Sequence, residues 1–340
     1  MSELQYPFSQ PPRPGERLEV APGVYWLYFP MPLALDHINL WLLEDGDGWT
    51  LVDTGFGTRH TQKIWAQAFD NALEGRPIRR IIVTHYHPDH VGQAGWLAQR
   101  FGAPVRMTRG EWELLNHLHS AEDDTVRQDV RHFMGLHGLH GEPLDALSGR
   151  GNGFRKVVPI MPPTPEFIAA GDAIQINGQT WRVHIGRGHA PEHACLFREH
   201  DHVLISGDQV LPRISSNLTV HARDPDDDPV SAFVDSLTAI KNALPEDSLV
   251  LPAHGLAFHG LHARIDALVK HHDEQLSVAE EACEKAPLTA YDLLPLLFNR
   301  KLDNNQMMFA MGESIAHLNC LHAHGRATRA DRQGRRYYAA

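Results

Sequence analysis

Cysteine is scarce in this chain: three residues, Cys195, Cys283 and Cys320, are spread through 340. They lie far apart, and no C-x-x-C pair occurs. A disulfide framework and a thiolate zinc knuckle are therefore not expected, because both need cysteines in paired, closely spaced sets. This cysteine usage is typical of a protein of the reducing cytoplasm.

Long apolar runs and an export signal are also lacking. No stretch approaches the roughly 18 continuous apolar residues that a transmembrane helix needs. Residues 1–16 are polar and proline-rich, without the basic and apolar segments of a secretory signal. We expect a cytoplasmic protein that does not associate with a membrane.

The third absence is an excess of positive charge. The formal net charge is −11, whereas broad nucleic-acid binding needs clustered Lys and Arg to neutralise phosphates. That class of protein is disfavoured, although a local basic patch can oppose the total. Hydrophobic residues make up 42% of the chain, which is enough for one large α/β domain and a smaller one.

Histidine, in contrast, is abundant, and residues 81–90 are the most informative stretch. A β-branched apolar run typical of a buried strand ends in His85, His87, Asp89 and His90. Three imidazoles and a carboxylate at the tip of a strand are metal-ligand chemistry. A histidine-rich surface turn is the alternative in a chain with 24 His. A surface turn would not explain why three later residues, two histidines and an aspartate, also follow strand-like runs.

Those three residues also follow strand-like runs. One run leads into a Gly-His turn that offers His189, a second ends in Asp208, and a third ends in His254. We expect the four strand ends to converge on one point.

The His-x-His-x-Asp-His motif and the later ligands resemble the metallo-β-lactamase-fold hydrolase superfamily. The resemblance implies an αββα sandwich, in which two β-sheets pack face to face with helices outside. Alternating strands and helices alone would also allow a doubly wound parallel sheet, but Asp-Gly and Asn-Gly pairs between apolar runs favour hairpins and hence the sandwich. The resemblance also puts Asp53, at a Val-Asp-Thr-Gly strand end, behind the metal ligands as a support.

Two divalent metal ions are implied by the same resemblance, with seven ligands. The ligands of the first ion would be His85, His87 and His189. The ligands of the second would be Asp89, His90 and His254. Asp208 would bridge the two ions. Zinc suits this donor set, with iron and manganese as alternatives.

Metal ions at such a site make a nucleophile from water, because they lower the pKa of bound water towards about 7. A hydroxide bridging the two ions is the expected nucleophile, and Asp89 would orient it as well as ligate. His193 would hydrogen-bond the developing oxyanion or protonate the leaving group, with a structural histidine as the alternative. Flavo-diiron relatives tend to have a glutamate at the position of His87, and that glutamate adapts their site to oxygen chemistry. The histidine of this chain therefore favours hydrolysis. Sulfur-dioxygenase relatives keep similar histidines, so redox chemistry stays open.

We predict two domains. Residues 1–286 would form the metallo-β-lactamase-fold catalytic domain, and residues 287–340 the small one. Within the first, residues 91–101 are predicted to form one helix, and a helical insertion at about 111–165 would serve as a cap over the metal cleft. Five histidines of this insertion are interpreted as surface or packing residues, because they lie on or near predicted helices: His117, His119, His132, His137 and His140.

The C-terminal residues are predicted to form a winged-helix module. Helices are expected over 288–298, 304–311 and 313–324, followed by a hairpin over 326–338. The arrangement resembles the small domain of the β-lactamase-like 2 group of the superfamily. Residues 287–340 contain seven basic against four acidic residues. We favour a packing role for the module over nucleic-acid binding.

The substrate class follows from these resemblances. Glyoxalase II-like thioesterases and lactonases share the Gly-His turn and cap helices, so we predict a binuclear metal-dependent hydrolase of a small ester, thioester or lactone. The alternative is an endoribonuclease or phosphodiesterase acting on single-stranded RNA, and a more remote one is a metal-sensing DNA-binding regulator. A small-molecule substrate is the expected partner. The sequence gives no indication of the oligomeric state.

Overall fold

The computed structural model of the chain describes residues 4–31, 33 and 35–340. Contacts divide the chain into two compact units. The first unit comprises Met1–His119, Phe154–Ser216 and Leu237–Ile265. The second comprises Ser120–Gly153, Asn217–Ser236 and Asp266–Ala340. The domain boundary at residue 286 and the position of the cap over the cleft stay predictions.

The first unit contains a seven-stranded sheet whose strands follow one another in chain order. They are β1 (Leu18–Ala21), β2 (Val24–Pro30), β3 (His37–Asp45), β4 (Gly48–Val52), β5 (Ile78–Ile82), β6 (Val105–Thr108) and β7 (Glu166–Ile168). Strands β1 to β4 pair antiparallel, and β4 to β7 pair parallel. The parallel half places the carboxyl ends of its strands at one edge of the sheet.

A five-stranded sheet completes the strands of this unit, with the order β12-β11-β10-β9-β8. These strands are β8 (Ala173–Ile176), β9 (Gln179–Gly186), β10 (His193–Arg198), β11 (Val203–Gly207) and β12 (Leu249–Pro252). The hairpin between β8 and β9 turns at Asn177 and Gly178, both with positive φ, as the Asn-Gly pair predicts. Strands β11 and β12 pair parallel, so they end at the same edge.

Eleven helices lie among the described residues. They are α1 (Arg59–Asn71), α2 (Pro88–Val91), α3 (Ala94–Phe101), α4 (Arg109–Ser120), α5 (Asp123–Leu136), α6 (Gly141–Ser148), α7 (Phe154–Val157), α8 (Pro229–Ala243), α9 (Leu261–Lys285), α10 (Ala290–Leu297) and α11 (Asn304–Ala323). A hairpin of β13 (Thr328–Arg332) and β14 (Arg335–Ala339) follows α11. Within the described part of the chain, no helix is both long and apolar enough to span a bilayer.

Two hydrophobic clusters hold the first unit together. One joins the two sheets, with Trp26 and Trp41 of the larger sheet packed together with Trp181 and Ile205 of the smaller. The other joins the larger sheet to α1, α3 and α4, and Trp65 is fully buried in it. Each fully buried large apolar side chain contributes about 1.5–3 kcal/mol. The predicted sandwich of two sheets with helices is confirmed.

The helix predicted over residues 91–101 is present as α3 and ends at Phe101 as predicted, but it begins at Ala94, because the chain breaks between α2 and α3. A Cβ at Gly92 would lie 2.4 Å from the backbone nitrogen of Gly57. Gln93 turns its amide to the carbonyl oxygens of Phe56 and Thr58, at 2.9 and 3.0 Å. The loop before α1 thus packs on this turn and interrupts the helix.

The prediction of separate helices over 304–311 and 313–324 is wrong, because α11 continues through Gly312. A Cβ at Gly312 would lie 2.5 Å from Cγ2 of Thr219. Glycine therefore permits a close approach to a neighbouring segment and does not end the helix. The helix α10, the helix α11 and the hairpin are present, whereas the winged-helix description stays a prediction.

Candidate metal centre

The predicted ligands lie at the ends of strands in both sheets of the first unit. Four come from the segment after β5, where Pro88 occupies the first turn of α2. The others come from the smaller sheet: His189 lies between β9 and β10, Asp208 directly follows β11, and His254 closely follows β12. The parallel pairing of β11 and β12 brings Asp208 and His254 to one edge.

The first group of side chains consists of His85, His87, His189 and Asp208, whose ligand atoms lie within 4.8 Å of one another. Nε2 of His85 is 2.8 Å from Nδ1 of His87 and 3.3 Å from Nε2 of His189. His85 is fully buried, so its ring nitrogens are shielded from bulk water.

Asp89, His90 and His254 form the second group, again within 4.8 Å. Nε2 of His254 is 3.4 Å from Oδ2 of Asp89, and Nε2 of His90 is 3.8 Å from the same oxygen. In a tetrahedral zinc site, the usual bond lengths put nitrogen and oxygen ligands about 3.4 Å apart. The spacing of the second group therefore fits one cation.

Asp208 faces both groups with different oxygens. Its Oδ2 lies 3.3 Å from Nε2 of His189 and 4.0 Å from Nε2 of His85. Its Oδ1 lies 3.5 Å from Nε2 of His90 and 3.3 Å from Nε2 of His254. One carboxylate thus connects the two groups, as the bridging position requires.

Three buried atoms at this point lack a hydrogen-bond partner among the described residues: Nε2 of His90, Oδ1 of Asp208 and Nε2 of His254. Leaving buried polar atoms unpaired is costly, by about 1–3 kcal/mol each. The three atoms converge, and a divalent cation would satisfy them together. The residues present therefore fit the divalent metals that the donor set suggests.

His85, His87 and Asp208 are in the protonation states that metal ligands need, whereas a bound cation would displace the proton of His254. Burial lowers the pKa of His85 and of His87 well below the usual range, so both imidazoles are neutral. Burial opposes the charge on Asp208, yet His254 and His90 hold the pKa of that carboxyl well below its usual value. Burial also lowers the pKa of His254, but Asp208 and Asp89 outweigh it and raise the value to about 10. The carboxylates attract positive charge to this position.

Asp53 supports the centre from behind, where the resemblance puts it. Its Oδ1 accepts the Thr84 backbone N–H at 2.8 Å, and its Oδ2 accepts Nδ1–H of His90 at 2.8 Å. Asp53 has φ of 61°, an unusual value for a residue other than glycine. The contact fixes the His90 ring so that Nε2 points at Asp208.

Glu111 is a supporting residue that the sequence analysis misses. It is fully buried in the first turn of α4, and burial raises its pKa to about 7. Oε2 accepts the backbone N–H of Tyr86 at 2.9 Å, and Oε1 accepts that of Glu192 at 2.6 Å. One side chain thus joins the His85–His87 loop to the loop that follows His189. An acid in the first turn of a helix is too common to signal this role.

A second missed support lies in β3. Nδ1 of His254 donates to the carbonyl oxygen of His37 at 2.6 Å, and the Gly255 backbone N–H donates to Nε2 of His37 at 2.9 Å. Asn39 donates from Nδ2 to the carbonyl oxygens of Pro252 and Gly255. These bonds hold the turn that carries His254. Nothing in the sequence of β3 indicates this role, because His37 and Asn39 look like ordinary polar residues of a strand.

His193 is placed differently from the predicted catalytic role. It is fully buried, and its Nε2 accepts the Asp208 backbone N–H at 3.0 Å. Burial lowers the pKa of His193 to about 3, so the ring is neutral. A nitrogen that accepts this N–H cannot donate to an oxyanion. The catalytic role stays a prediction that this geometry does not favour, and the contact instead positions Asp208.

Comparison with known proteins decides the family. The model of the Metallo-beta-lactamase superfamily matches residues 33–254, and the model of a Metallo-beta-lactamase-like C-terminal domain matches residues 276–340. The chain belongs to the metallo-beta-lactamase superfamily. The matched residues 33–254 contain all seven predicted ligands. The protein is therefore a metallo-hydrolase of this superfamily with a candidate His/Asp metal centre.

Three relatives of this superfamily member align with most of its length. A crystal structure of a beta-lactamase domain protein from Burkholderia ambifaria is 41% identical and has a TM-score of 0.92, covering 99% of this chain and 98% of that one. The probable metallo-hydrolase YqjP of Bacillus subtilis is 24% identical over 306 residues, 86% of this chain and 90% of YqjP. The atrochrysone carboxyl ACP thioesterase of Aspergillus fumigatus is 22% identical over 235 residues, 68% of this chain and 41% of that protein.

Proposed function

We propose that this protein is a binuclear metal-dependent hydrolase of a small ester, thioester or lactone. The observation that carries the proposal is the pair of donor groups that share Asp208, because two adjacent cations need such a bridging ligand. The two groups contain six further donors: His85, His87, His189, Asp89, His90 and His254. Bound divalent metals would supply a water of lowered pKa and would polarise the substrate oxygen.

The protein's own residues have separate tasks in this proposal. Asp89 has a pKa of about 2, since the opposing effect of burial is outweighed by His90 and His254, and it is therefore ionised at neutral pH. Its carboxylate accepts a hydrogen bond from the attacking water and orients it. Asp53 fixes the His90 ring, and Glu111 fixes the backbone on both sides of His85 and His189. His193 holds the backbone of Asp208.

The choice of an acyl substrate is supported by three observations. One relative is named as a thioesterase, and the net charge of −11 disfavours a polyanionic substrate. The C-terminal arginines also pair with carboxylates within the second unit: Arg329 Nη1 is 2.6 Å from Asp226 Oδ1, and Arg336 Nε is 3.0 Å from Asp331 Oδ1. These carboxylates compete with any phosphate for the same guanidinium groups.

A substrate screen tests the proposal. Metal-loaded protein is assayed against acyl thioesters, lactones, phosphodiesters and single-stranded RNA, beside the variants Asp89→Asn and Asp208→Asn. We expect hydrolysis of a thioester or lactone, and a loss of at least about 100-fold in kcat/KM in both variants, because losing a ligand costs more than losing an outer hydrogen bond. Asp70→Asn is the matched control, since Asp70 is an exposed acid on α1.

Two outcomes would contradict the proposal. Cleavage of single-stranded RNA without acyl hydrolysis would replace the substrate class, and salt-dependent retention on a phosphate-rich resin would accompany it. Acyl hydrolysis that survives in Asp208→Asn with the same metal content would remove the shared carboxylate from the reaction.

A further inference from the structure

Three potential metal ligands meet in the second unit: Asp228, Cys320 and His324. Their ligand atoms all lie within 4.8 Å of one another. Nε2 of His324 is 3.7 Å from Oδ2 of Asp228. Ser231 lies beside them, with Oγ 3.5 Å from Sγ of Cys320 and 2.9 Å from Nε2 of His324. None of these residues belongs to the metal centre described above.

Two helices present these donors. Cys320 and His324 are four residues apart at the C-terminal end of α11, so they lie on the same face, and the His324 N–H still bonds to the Cys320 carbonyl at 3.1 Å. Asp228 immediately precedes α8, where its Oδ1 accepts the Ser231 backbone N–H at 3.1 Å. This cap occupies one carboxylate oxygen and turns the other, Oδ2, towards His324.

The acidic loop before α8 is fastened to α11 beside Cys320. Asn319 donates from Nδ2 to the carbonyl oxygens of Pro225 and Asp227, each at 3.0 Å. Its Oδ1 accepts the Tyr338 hydroxyl at 2.8 Å. Asn319 and Tyr338 are both buried. Asp228 is therefore held near the two helical ligands by a buried network, which preorganises the three donors.

A Ser-His-Asp nucleophile is excluded by the same distances. In a catalytic triad, the serine and the carboxylate contact opposite nitrogens of the imidazole. Here Oγ of Ser231 and Oδ2 of Asp228 both approach Nε2 of His324. Donors that face one common point, instead of forming a chain, are typical of a cation site.

We propose that Asp228, Cys320 and His324 form a further metal site, for one divalent cation such as Zn²⁺. A tetrahedral ion with ordinary bond lengths puts its nitrogen and oxygen ligands about 3.4 Å apart, close to the 3.7 Å between His324 and Asp228. A thiolate, an imidazole and a carboxylate suit zinc better than magnesium or calcium. Three protein ligands leave the fourth position to water or to the Ser231 hydroxyl.

Binding at this site releases a proton. Cys320 is buried, and a cysteine must lose its thiol proton before its sulfur can ligate a metal ion. The cation takes the place of that proton on Sγ, and the proton leaves to solvent. Apparent affinity therefore falls as the pH is lowered. The partly exposed face of the site, where the His324 side chain is 58% exposed, provides the route for the ion.

Cobalt spectroscopy of the full-length protein tests the site. The main centre contains no sulfur ligand, so a near-ultraviolet thiolate-to-cobalt charge-transfer band reports on a cysteine alone. We expect metal-free protein titrated with Co²⁺ to develop this band and to hold one more equivalent of metal than His324→Ala. His324→Ala would weaken cobalt binding at the thiolate by at least about 10-fold and leave hydrolytic turnover unchanged. Because His324 is exposed, this variant is expected to fold.

Cysteine variants complete the test. Cys320→Ser should abolish the band, whereas Cys283→Ser, a change of another buried cysteine in the second unit, should keep it. Absence of the band in the unmodified protein would overturn the proposal. Persistence of the band in both Cys320→Ser and His324→Ala, or equal metal content in His324→Ala and the unmodified protein, would overturn it as well.

Discussion

The orientation of Asp208 towards the other ligands is determined by the backbone around it. It directly follows Gly207, whose φ of 51° aims the next residue at the ligands. A Cβ at Gly207 would lie 2.5 Å from Nε2 of His193, the atom that accepts the Asp208 N–H. The small residue, the buried histidine and the carboxylate therefore form one arrangement. A Ser-Gly-Asp strand end in the sequence indicates the carboxylate but not the histidine that positions it.

Glu111 provides a prediction at the same scale. Changing Glu111 to Gln keeps the size but replaces one carboxylate oxygen by an NH2 group, which cannot accept the N–H of Tyr86 or Glu192. We expect metal affinity at the main centre to fall by about 10–100-fold, as for other outer hydrogen bonds. Competition with a chromophoric chelator measures the affinity.

The control for this prediction is Glu113→Gln, a change of an exposed acid on the same helix, which should leave affinity unchanged. Equal chelator competition in Glu111→Gln and the unmodified protein would show that the two loops do not need this carboxylate.

Among the elements, α11 behaves unlike an ordinary helix with a glycine in its middle. Replacing such a glycine by alanine usually stabilises a helix by about 1 kcal/mol. At Gly312 the added Cβ would meet Cγ2 of Thr219 at 2.5 Å, and we expect Gly312→Ala to lower the free energy of unfolding by about 1–3 kcal/mol. Denaturant titration followed by circular dichroism measures the change.

Gly135 in α5 is the matched position for that experiment. The nearest atom to its added Cβ is Cδ2 of Leu144 at 3.8 Å, an ordinary contact. Gly135→Ala should therefore stabilise the second unit by about 0.5–1 kcal/mol. Stabilisation by both substitutions would mean that α11 has room at Gly312.

Elements were predictable from sequence where their signals were local. Helix α10 and the hairpin of β13 and β14 lie within about two residues of the predicted ranges, because an amphipathic stretch and a turn are local signals. Gly92 and Gly312 misled the prediction in opposite directions, since the helix breaks beside the first and continues through the second. Both outcomes depend on a distant segment, Gly57 or Thr219, that periodicity does not reveal. Helix α8 has no counterpart among the predicted elements, although Val230, Phe233 and Leu237 recur at helical spacing.

The same division applies to the centre. Its seven candidate ligands were predictable because each follows a strand-like run in a fixed order along the chain. Glu111, His37 and Asn39 were not, because their roles consist of bonds to the backbone of residues far away in sequence. The motif thus predicts which side chains meet, and the tertiary structure alone shows what aims them.

Metal removal provides a prediction for the molecule as a whole. A ligand present at 100 times its Kd stabilises the native state by about 2.7 kcal/mol, which corresponds to roughly 5–10 °C in the Tm of a unit of this size. We expect a strong chelator to lower the Tm of the metal-loaded protein by this amount, measured by scanning calorimetry. The same treatment of Asp208→Asn should give a clearly smaller shift, because that variant binds the cations weakly. Equal shifts in both proteins would place the stabilising metal elsewhere.

Each donor group draws on both sheets of the first unit: His85 and His87 follow β5 of the larger sheet, whereas His189 and Asp208 come from the smaller. Neither sheet alone supplies all the ligands of a donor group, so the sheet that leaves the ribosome first cannot form a complete coordination sphere by itself. Metal binding at this centre would therefore wait until the two halves have closed on each other. Metal uptake by a nascent chain would then be a late event that follows the packing of the two sheets, and added metal during synthesis would not stabilise a chain arrested with one sheet formed.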